Sequence, residues 1–380
     1  MSRIEELIAQ LCPDGPVFRL IEDLITEKTI EVISPYKKLT KEHYQPKGAY
    51  PIIDQGKDYI VGYTDDSEAV IKDGVYIIFG DHTEVFKFIS FEFAQGADGI
   101  KILKTDLKKI APKYLFYALA NCYIKSGNYT RHFSFLRKTL IPIPPLPIQQ
   151  EIVRILDTFT DLDAELQAEL EARKKQYEYY RNELLNFEGK EVEWRTLGEV
   201  AYYPKSRISV IEVDEDNYVG VENLLQNKQG KTLSNYVPKS GNLIEYKRND
   251  VLIGNIRPYL KKIWLATNIG GTNGDVVVIR ICSKTDALLR SKFLYCILSS
   301  DAFFDYNNQF AKGGKMPRGD KNQILKFKIP IPPLPEQERI VSILDKFEAL
   351  VNVELPDEIV ARRKQYEYYR EKLLTFKKVD

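Results

Sequence analysis

The chain has 380 residues, 44% of them hydrophobic and 29% charged, a composition that excludes global disorder and suits two or three folded domains. Its 55 Lys and Arg residues nearly balance 54 Asp and Glu residues, and the net charge of +1 excludes a uniformly basic coat for nucleic acid. Four cysteines without a Cys-x-x-Cys pair, together with three separated histidines, indicate neither a disulfide framework nor a zinc site.

The first predicted element is a short amphipathic helix at the N-terminus, where Ile4, Leu7, Ile8 and Leu11 recur at helical spacing. This end is too charged for a signal peptide, and no apolar run approaches the roughly 20 residues of a membrane span. We therefore expect a cytoplasmic protein with reduced thiols and no membrane association.

The segments that follow predict small globular domains of mixed α/β structure. Each contains short β-like runs, such as Val75–Phe79 and Val276–Ile281, together with a helix-like stretch and glycine-containing turns. The two segments are only distantly alike, but they share anchors such as Phe18 with Trp194. Such anchors indicate two diverged copies of one domain.

Two other segments are close copies of each other. Residues 141–147 and 329–335 both read Ile-Pro-Ile-Pro-Pro-Leu-Pro, and residues 172–187 match residues 361–376 at twelve of sixteen positions. So dense a match indicates an internal duplication, in which a variable globular unit and a conserved helical unit each occur twice.

The conserved segments predict long helices that pair with each other. From Ile152 to Phe187, apolar residues recur mostly in alternating steps of three and four, as in a coiled-coil seam. Pro147 and Pro335 suit the first turn of each helix. In the second copy Pro356 predicts a break, with another helix beginning there. Antiparallel packing would bury both seams and give approximate two-fold symmetry.

The apolar surface of these helices is wider than one seam, which is compatible either with a further helical partner or with contacts to the chain's own globular units. The candidate partner-binding residues are Tyr177, Tyr179, Tyr180, Leu185, Tyr366, Tyr368 and Tyr369.

Motifs for catalysis are absent from the sequence. It contains neither a Gly-x-Gly-x-x-Gly fingerprint nor a phosphate-binding P-loop, and it lacks the Asn-Pro-Pro-aromatic motif of adenine methyltransferases. The acidic residues near Asp161 lie on a predicted helix, where a solvated face is the ordinary explanation. We therefore assign no catalytic and no metal-binding residues and expect a binding protein.

Cations are concentrated at equivalent places in the two globular units. Six cations and one acid lie between Lys312 and Lys328, and glycines in this stretch would allow close approach to a phosphate. A solvated loop is the alternative explanation. The candidate DNA-contacting residues are Lys125, Arg131, His132, Arg137 and Lys138 in the first unit and Arg257, Lys261, Lys262, Lys312, Lys315, Arg318 and Lys321 in the second.

These motifs carry a resemblance to a known family. Both proline motifs with their glutamine-containing helix starts, both Arg-x-Lys-Gln-Tyr-Glu-Tyr-Tyr-Arg tracts and Arg257-Pro-Tyr-Leu-Lys-Lys resemble the specificity (S) subunits of type I restriction–modification systems. The resemblance covers essentially the whole chain, and its motifs are specific.

The resemblance implies a mixed α/β fold with two small target recognition domains, separated by two long conserved helices that form an antiparallel coiled coil with pseudo-two-fold symmetry. The expected division is an N-terminal helix at 1–15, recognition domains at 16–147 and 191–335, and helical spacers at 148–190 and 336–380.

The resemblance also implies a non-catalytic subunit that binds double-stranded DNA. Each recognition domain is expected to read one half of a bipartite target, while the coiled coil sets the half-site spacing and docks two methyltransferase (M) subunits. Those subunits use S-adenosylmethionine to methylate adenine at N6, and a motor and nuclease (R) subunit uses ATP and Mg to cut unmodified DNA. No cofactor is expected on this chain.

Two other classes of protein are compatible with parts of the sequence. A coiled-coil scaffold with protein-binding globular ends would bind its partners independently of DNA, and a steep salt dependence of DNA affinity would distinguish it from a DNA reader. An enzyme would need methyl transfer or cleavage by the isolated chain.

Overall fold

The computed structural model describes residues 3–376 except 73, 97, 98, 129 and 286. The chain divides into two compact units. Unit 1 combines Met1–Ala168 with Asp357–Asp380, and unit 2 consists of Glu169–Pro356. Each unit therefore contains one variable segment and parts of both conserved helical segments.

The elements of the chain up to residue 185 begin with a short helix and end with a long one. In chain order they are α1 (Arg3–Leu11), β1 (Val17–Leu20), α2 (Ile21–Thr26), β2 (Ile30–Ile33), β3 (Tyr50–Ile53), β4 (Gly62–Thr64), β5 (Val70–Ile71), β6 (Tyr76–Gly80), β7 (Phe86–Ile89), β8 (Phe93–Gln95), β9 (Ile100–Thr105), α3 (Pro112–Cys122), α4 (Phe133–Arg137), β10 (Leu140–Ile143) and α5 (Leu146–Leu185).

The elements that follow repeat this arrangement of short strands followed by helices. They are β11 (Glu193–Thr196), α6 (Leu197–Val200), β12 (Ala201–Tyr202), β13 (Arg207–Ser209), β14 (Tyr218–Val219), β15 (Asn242–Tyr246), β16 (Val251–Gly254), β17 (Ile263–Leu265), β18 (Gly270–Thr272), β19 (Val276–Ile281), α7 (Ser291–Leu298), α8 (Asp301–Gln309), α9 (Lys321–Ile324), β20 (Lys328–Ile331), α10 (Leu334–Ala349) and α11 (Leu355–Leu374).

Within the described residues, each unit contains two four-stranded sheets and one two-stranded sheet. An antiparallel sheet has the order β2-β9-β6-β7 in unit 1 and β12-β19-β16-β17 in unit 2. A mixed sheet has the order β4-β3-β8-β5 in unit 1 and β13-β15-β18-β14 in unit 2, each with one parallel pair. The expected mixed α/β fold with an internal duplication is confirmed.

The two-stranded sheets explain why the anchors Phe18 and Trp194 each occur together with a proline motif. β1 pairs with β10 so that Phe18 lies opposite Pro142, and β11 pairs with β20 so that Trp194 lies opposite Pro330. Proline has no N–H to donate to a ladder, and a two-stranded sheet offers the edge positions where this is tolerated. The first residues of each proline motif thus form a strand that the sequence pattern did not predict.

Among the described residues, the largest hydrophobic core of each unit lies where a central strand of the antiparallel sheet meets a helix. In unit 1, Ile77 and Phe79 of β6 pack with Tyr114 and Leu115 of α3, all of them buried. In unit 2, β16 and β19 pack with α7 in the same way. The central strands are buried on both faces, which explains their continuous runs of β-branched and aromatic residues.

The conserved helices pair in both units. In unit 1, Phe159 of α5 stacks on Tyr369 of α11, and Arg363 of α11 forms two hydrogen bonds with Asp163 of α5. Residue numbers rise along α5 while those of the contacted residues fall along α11, so the two helices run antiparallel. In unit 2, α5 pairs with α10, where Phe347 contacts two tyrosines of α5.

The second conserved segment changes its hydrogen-bond pattern where a break was predicted, but its backbone stays helical there. Leu350–Glu354 forms a π-helical turn, in which the N–H of Leu355 donates to the carbonyl of Leu350. α11 follows directly at Leu355 and has Pro356 as its second residue, so the missing N–H of proline falls where the hydrogen-bond pattern changes from π to α. No helix among the described residues is long and apolar enough to cross a membrane.

Candidate nucleic-acid interface

In unit 2 the two cation-rich segments lie side by side; we call Arg257–Lys262 together with Lys312–Lys321 the second basic surface. The backbone N–H of Arg257 donates to the carbonyl of Pro317 at 2.7 Å, and Ile256 forms an isolated β-bridge with Arg318. Cations more than 50 positions apart in the sequence therefore share one surface.

The Lys312–Lys321 segment begins as a tight loop. The backbone N–H groups of Lys312 and Arg318 donate to each other's carbonyls at 2.9 and 2.8 Å, which closes the loop at its base. Gly313 has a φ of +110°, a conformation that L side chains rarely adopt. The loop exposes Lys315 at its tip, and that lysine makes no ion pair with any described residue.

Lys312 and Arg318 of the second basic surface are each held by a nearby acid. Lys312 pairs with Asp320 at 2.8 Å, and Arg318 pairs with Asp275 at 3.2 Å. Both cationic side chains are more than half exposed, and exposed ion pairs of this kind contribute little to stability. They can therefore be exchanged for contacts with a phosphate or a base edge.

Asp301 holds two lysines together. It accepts hydrogen bonds from Lys261 and Lys228, each at 2.8 Å. Burial opposes its negative charge, but these two hydrogen bonds prevail and lower the pKa of Asp301 to about 2. Lys228 was not among the candidate residues, because it is distant in sequence from both cation clusters.

Two candidates of the second basic surface have partly buried side chains. The ammonium group of Lys262 donates to the carbonyl of Val221 at 2.6 Å, and burial lowers the pKa of Lys262. Lys262 thus stabilises the neighbouring loop. Arg257 has a left-handed backbone at φ 53°, and its Nε is buried without a hydrogen-bond partner among the described residues.

In unit 1 we call residues 125–138 the first basic surface; within it the structure describes every residue but 129. Lys125, Arg131 and Lys138 are exposed and form no ion pair with any described residue. Arg137, at the end of α4, is paired with Glu22. Three of the five candidates are therefore available to an external anion.

His132 corrects the expectation of a direct DNA contact, because its side chain is fully buried. Its Nδ1 lies 3.3 Å from a carboxylate oxygen of Glu84, and its Nε2 lies 2.7 Å from the carbonyl of Asn128. The physical reason is that this ring fills the interior of the loop. It supports the loop from beneath and does not reach the surface.

Glu84 organises the same loop, and no sequence motif pointed to it. It accepts hydrogen bonds from the N–H groups of Ser126 and Gly127 and from the hydroxyl of Tyr123, at 2.7 to 3.0 Å. Burial opposes its charge, but these donors and the nearby His132 lower the pKa of Glu84 below its ordinary value. The backbone of Glu84 has a left-handed φ of 54°, a conformation that the sequence does not reveal.

The two basic surfaces are attached to their domains in the same way. The N–H of His132 donates to the carbonyl of Asp81 at 2.8 Å, and the N–H of Gly319 donates to the carbonyl of Asn255 at 3.1 Å. Asp81 and Asn255 are equivalent, because each directly follows the central strand, β6 or β16. The structure therefore brings the two cation-rich segments to equivalent positions.

Gly319 lies too close to its neighbours for any other side chain. A Cβ on Gly319 would lie 2.4 Å from Oδ1 of Asn307 and 2.8 Å from Oδ1 of Asn255. Both asparagines are buried, so they have little room to move. The loop needs glycine here in order to approach the central strand.

The tyrosines of the conserved tracts divide into two groups. Tyr177 and Tyr366 are partly buried in the helix pairs, and Leu185 packs on the core of unit 2. Tyr179 and Tyr368, by contrast, are 61% and 60% exposed. Each has its ring edge-on to the next tyrosine, with centroids 5.5 Å apart for Tyr179–Tyr180 and 5.4 Å apart for Tyr368–Tyr369.

The groups that these surfaces expose suit binding. The described residues include no group of three or more His, Cys, Asp or Glu side chains that could hold a metal ion. The exposed features are cations on loops and tyrosines on helices. Such groups recognise phosphates, base edges and protein surfaces.

A family model described as the type I restriction modification DNA specificity domain matches the chain twice, at residues 25–172 and 189–361. The two matches follow the duplication, and together they cover most of the chain.

Two relatives agree with this match over nearly the full length of the chain. The specificity subunit of an Escherichia coli type I restriction enzyme is 32% identical, over 90% of this chain and 91% of that one. A putative type I restriction enzyme specificity subunit of Haemophilus influenzae is 30% identical, over 92% of this chain and 94% of that one.

A solved structure has the same fold. The crystal structure of the type I restriction–modification S subunit from M. genitalium superimposes with a TM-score of 0.56 at 15% identity, covering 94% of this chain and 96% of that one. The matches in sequence and fold lead to one conclusion: the chain belongs to the specificity subunits of type I restriction–modification systems, which are non-catalytic DNA-recognition subunits.

Proposed function

We propose that the chain recognises a bipartite DNA target, with one half-site read by each of two target recognition domains. These domains are residues 16–147 and 191–335. The observation that carries this proposal is the equivalent attachment of the two basic surfaces through the N–H groups of His132 and Gly319. Two similar domains that present different side chains at equivalent places are suited to reading two different sequences.

Within each surface the cations have different tasks. Lys125, Lys312 and Lys315 hold phosphates, which position the protein without selecting a sequence. Arg131 and Arg318 read base edges, because a guanidinium group can donate two hydrogen bonds to a guanine in the major groove. The ion pair of Arg318 with Asp275 holds the guanidinium group near its reading position before DNA arrives.

The conserved helices are spacers between the recognition domains. They comprise residues 148–190 and 336–380, and α1 (Arg3–Leu11), from the proposed N-terminal segment 1–15, packs beside them in unit 1. Antiparallel pairing is supported by the contacts of Phe159 with Tyr369 and of Asp163 with Arg363. We infer that helix pairing of this kind sets the distance between the half-sites.

The same spacers dock two methyltransferase subunits. The supporting observation is that one tract, Lys-Gln-Tyr-Glu-Tyr-Tyr-Arg, occurs identically in both copies and exposes Tyr179 and Tyr368 in the same edge-on geometry. An identical surface present twice suits two copies of the same partner.

Catalysis belongs to the partners in a cytoplasmic complex. The methyltransferase subunits bind S-adenosylmethionine and methylate adenine at N6, and a motor and nuclease subunit uses ATP and Mg to cleave unmodified DNA. This chain supplies the sequence choice and the assembly surface.

The proposal is tested on the complex of the full chain with its methyltransferase subunits. Mapping methylated adenines in the host genome gives the target, and DNA affinity is then measured with each half-site randomised in turn. We expect Arg318→Ala to weaken binding by about 1–3 kcal/mol through one half-site only. Arg131→Ala serves as the matched variant and affects the other half-site.

Two results would contradict the proposal. Equal loss of discrimination at both half-sites for Arg318→Ala would exclude one domain reading one half-site. Association that is independent of both DNA sequence and salt would instead support a protein scaffold.

A further inference from the structure

Two buried glutamines occupy the same place in the two copies. Gln149 is the fourth residue of α5 and Gln337 is the fourth residue of α10, and both are fully buried. Buried amides are costly unless every polar atom is paired. The side chains therefore need a structural reason for their position.

Each glutamine ties its spacer helix to the start of a helix in the globular domain. Oε1 of Gln149 accepts a hydrogen bond from the N–H of Ala111, the residue before α3, at 2.8 Å. Its Nε2 donates to the carbonyl of Lys109 at 3.1 Å and to that of Pro144 at 2.8 Å. All three of these partners belong to unit 1.

Gln337 repeats these bonds in unit 2. Its Oε1 accepts from the N–H of Arg290, the residue before α7, at 2.9 Å. Its Nε2 donates to the carbonyls of Leu288 and Pro332 at 2.7 and 2.8 Å. The two copies thus use the same donor and acceptor geometry although their globular domains have diverged.

Only glutamine satisfies this arrangement. Glutamate would direct a second carboxylate oxygen at two carbonyl oxygens, and methionine would leave one N–H and two carbonyls without their partner. The neighbouring Gln150 is exposed and makes none of these bonds, so it provides a matched control on the same turn.

A second tie lies about two turns further along each spacer helix. In unit 1, Asp157 accepts from Lys113 at 2.8 Å and from the hydroxyl of Tyr117 at 2.6 Å, both on α3. In unit 2, Lys292 of α7 lies 3.1 Å from Asp345 of α10. Two ties along one helix fix the angle between that helix and its domain as well as their separation.

We propose that Gln149 and Gln337 are positioning residues that fix each recognition domain at a set angle on its spacer helix and thereby determine how strictly the complex measures half-site spacing. This inference rests on the proposed function. One added base pair moves a half-site by about 3.4 Å and rotates it by about 35°. Only a domain that is held firmly on its helix discriminates against a target whose spacer differs by one base pair.

The test uses the complex of the full chain with its methyltransferase subunits. Methylation is measured on the native target and on targets whose spacer is one base pair longer or shorter. For Gln149→Met and Gln337→Met we expect the methylation of altered spacers, relative to native, to rise by about tenfold, while preference within each half-site stays unchanged. Gln150→Met should leave the ratio unchanged.

An unchanged spacing ratio in a folded variant complex would overturn the inference. A purely structural role would lower methylation of all targets equally, and this outcome would also overturn it. If the wild-type complex shows no bipartite preference, the proposed function fails instead, so the two failures are distinguishable.

A second measurement does not depend on the folding of any variant. Amide-resolved hydrogen exchange of the wild-type complex should show slow exchange at Ala111 and Arg290, whose N–H groups precede their helices and would otherwise be open. Fast exchange at both amides would show that the glutamine bonds do not persist, and would overturn the inference.

Discussion

Phe159 and Tyr369 stack with ring centroids 5.4 Å apart and planes inclined by 27°, and their counterparts Phe347 and Tyr180 stack at 5.6 Å and 28°. The same contact therefore closes the helix pair in both units. Each phenylalanine also meets a second tyrosine, at 6.4 Å for Phe159 with Tyr366 and at 6.3 Å for Phe347 with Tyr177.

Truncating either phenylalanine is expected to destabilise its own helix pair. Phe159→Ala and Phe347→Ala each remove a partly buried ring and two aromatic contacts, and we expect a loss of about 2 kcal/mol in the free energy of unfolding. Denaturant titration of the full chain measures this loss. Thr158→Ala, at an exposed position beside Phe159 on α5, should change the free energy of unfolding by less than about 0.5 kcal/mol. Equal effects of the two substitutions on α5 would contradict the prediction.

Gly319→Ala is expected to displace the loop of the second basic surface. The new methyl group would lie 2.4 Å from the buried Oδ1 of Asn307, so the loop must shift away from β16. We expect about 1–3 kcal/mol of destabilisation and weaker recognition of one half-site. Gly314→Ala is the matched control, because a Cβ there meets nothing within 4 Å. Unchanged half-site recognition by Gly319→Ala would contradict the predicted displacement of the loop.

We expect Asp301 to make the stability of unit 2 decrease at acid pH. Its pKa is lowered from 3.8 to about 2 in the folded chain, so its contribution is fully present above pH 3.8 and is lost as the pH falls towards 2. Asp301→Asn should therefore be less stable than wild type at neutral pH. The difference should shrink below about pH 4, as measured by unfolding at a series of pH values. A stability difference that stays constant down to pH 2 would show that it does not arise from the charge of Asp301.

The exposed tyrosines are expected to contribute to assembly and not to folding. Tyr179→Ala and Tyr368→Ala should each weaken association with the methyltransferase subunits by about 1–2 kcal/mol, because exposed aromatic residues are frequent hot spots. Their effect on unfolding should remain within about 0.5 kcal/mol. Calorimetric titration with the partner subunit measures the first quantity, and Glu178→Ala is the control. Normal affinity of both tyrosine variants would place the docking surface elsewhere.

Periodicity and repetition made the helical parts of the fold predictable. The steps of three and four residues from Ile152 onwards predicted α5, and Pro356 predicted a break where the helix instead passes through a π-helical turn into α11. Both signals are local, because helix formation and its termination depend on residues a few positions apart. The strand β10 was missed because Pro142 is a poor strand residue by propensity, and its pairing with Phe18 lies more than 100 residues away.

The basic surfaces were only partly predictable. Counting cations located both segments, but it could not separate exposed Lys125 from buried His132, since burial depends on Glu84 from a distant strand connection. It also could not reveal that Asp301 holds Lys261. Such pairings depend on tertiary structure, and no local pattern records them. The sequence shows that Gln149 recurs as Gln337, but it does not reveal the hydrogen bonds that either residue makes.

The π-helical turn at Leu350–Glu354 absorbs a difference in length between the two copies. Phe347 follows Phe159 by 188 positions, whereas Tyr366 follows Tyr177 by 189, so the second copy has gained one residue between these points. A turn with i→i+5 bonds accommodates one residue more than an α-turn. The insertion therefore leaves α11 in phase with its partner helix, and a gene encoding such a chain can acquire a single codon here without rotating the tyrosines beyond it away from their contacts.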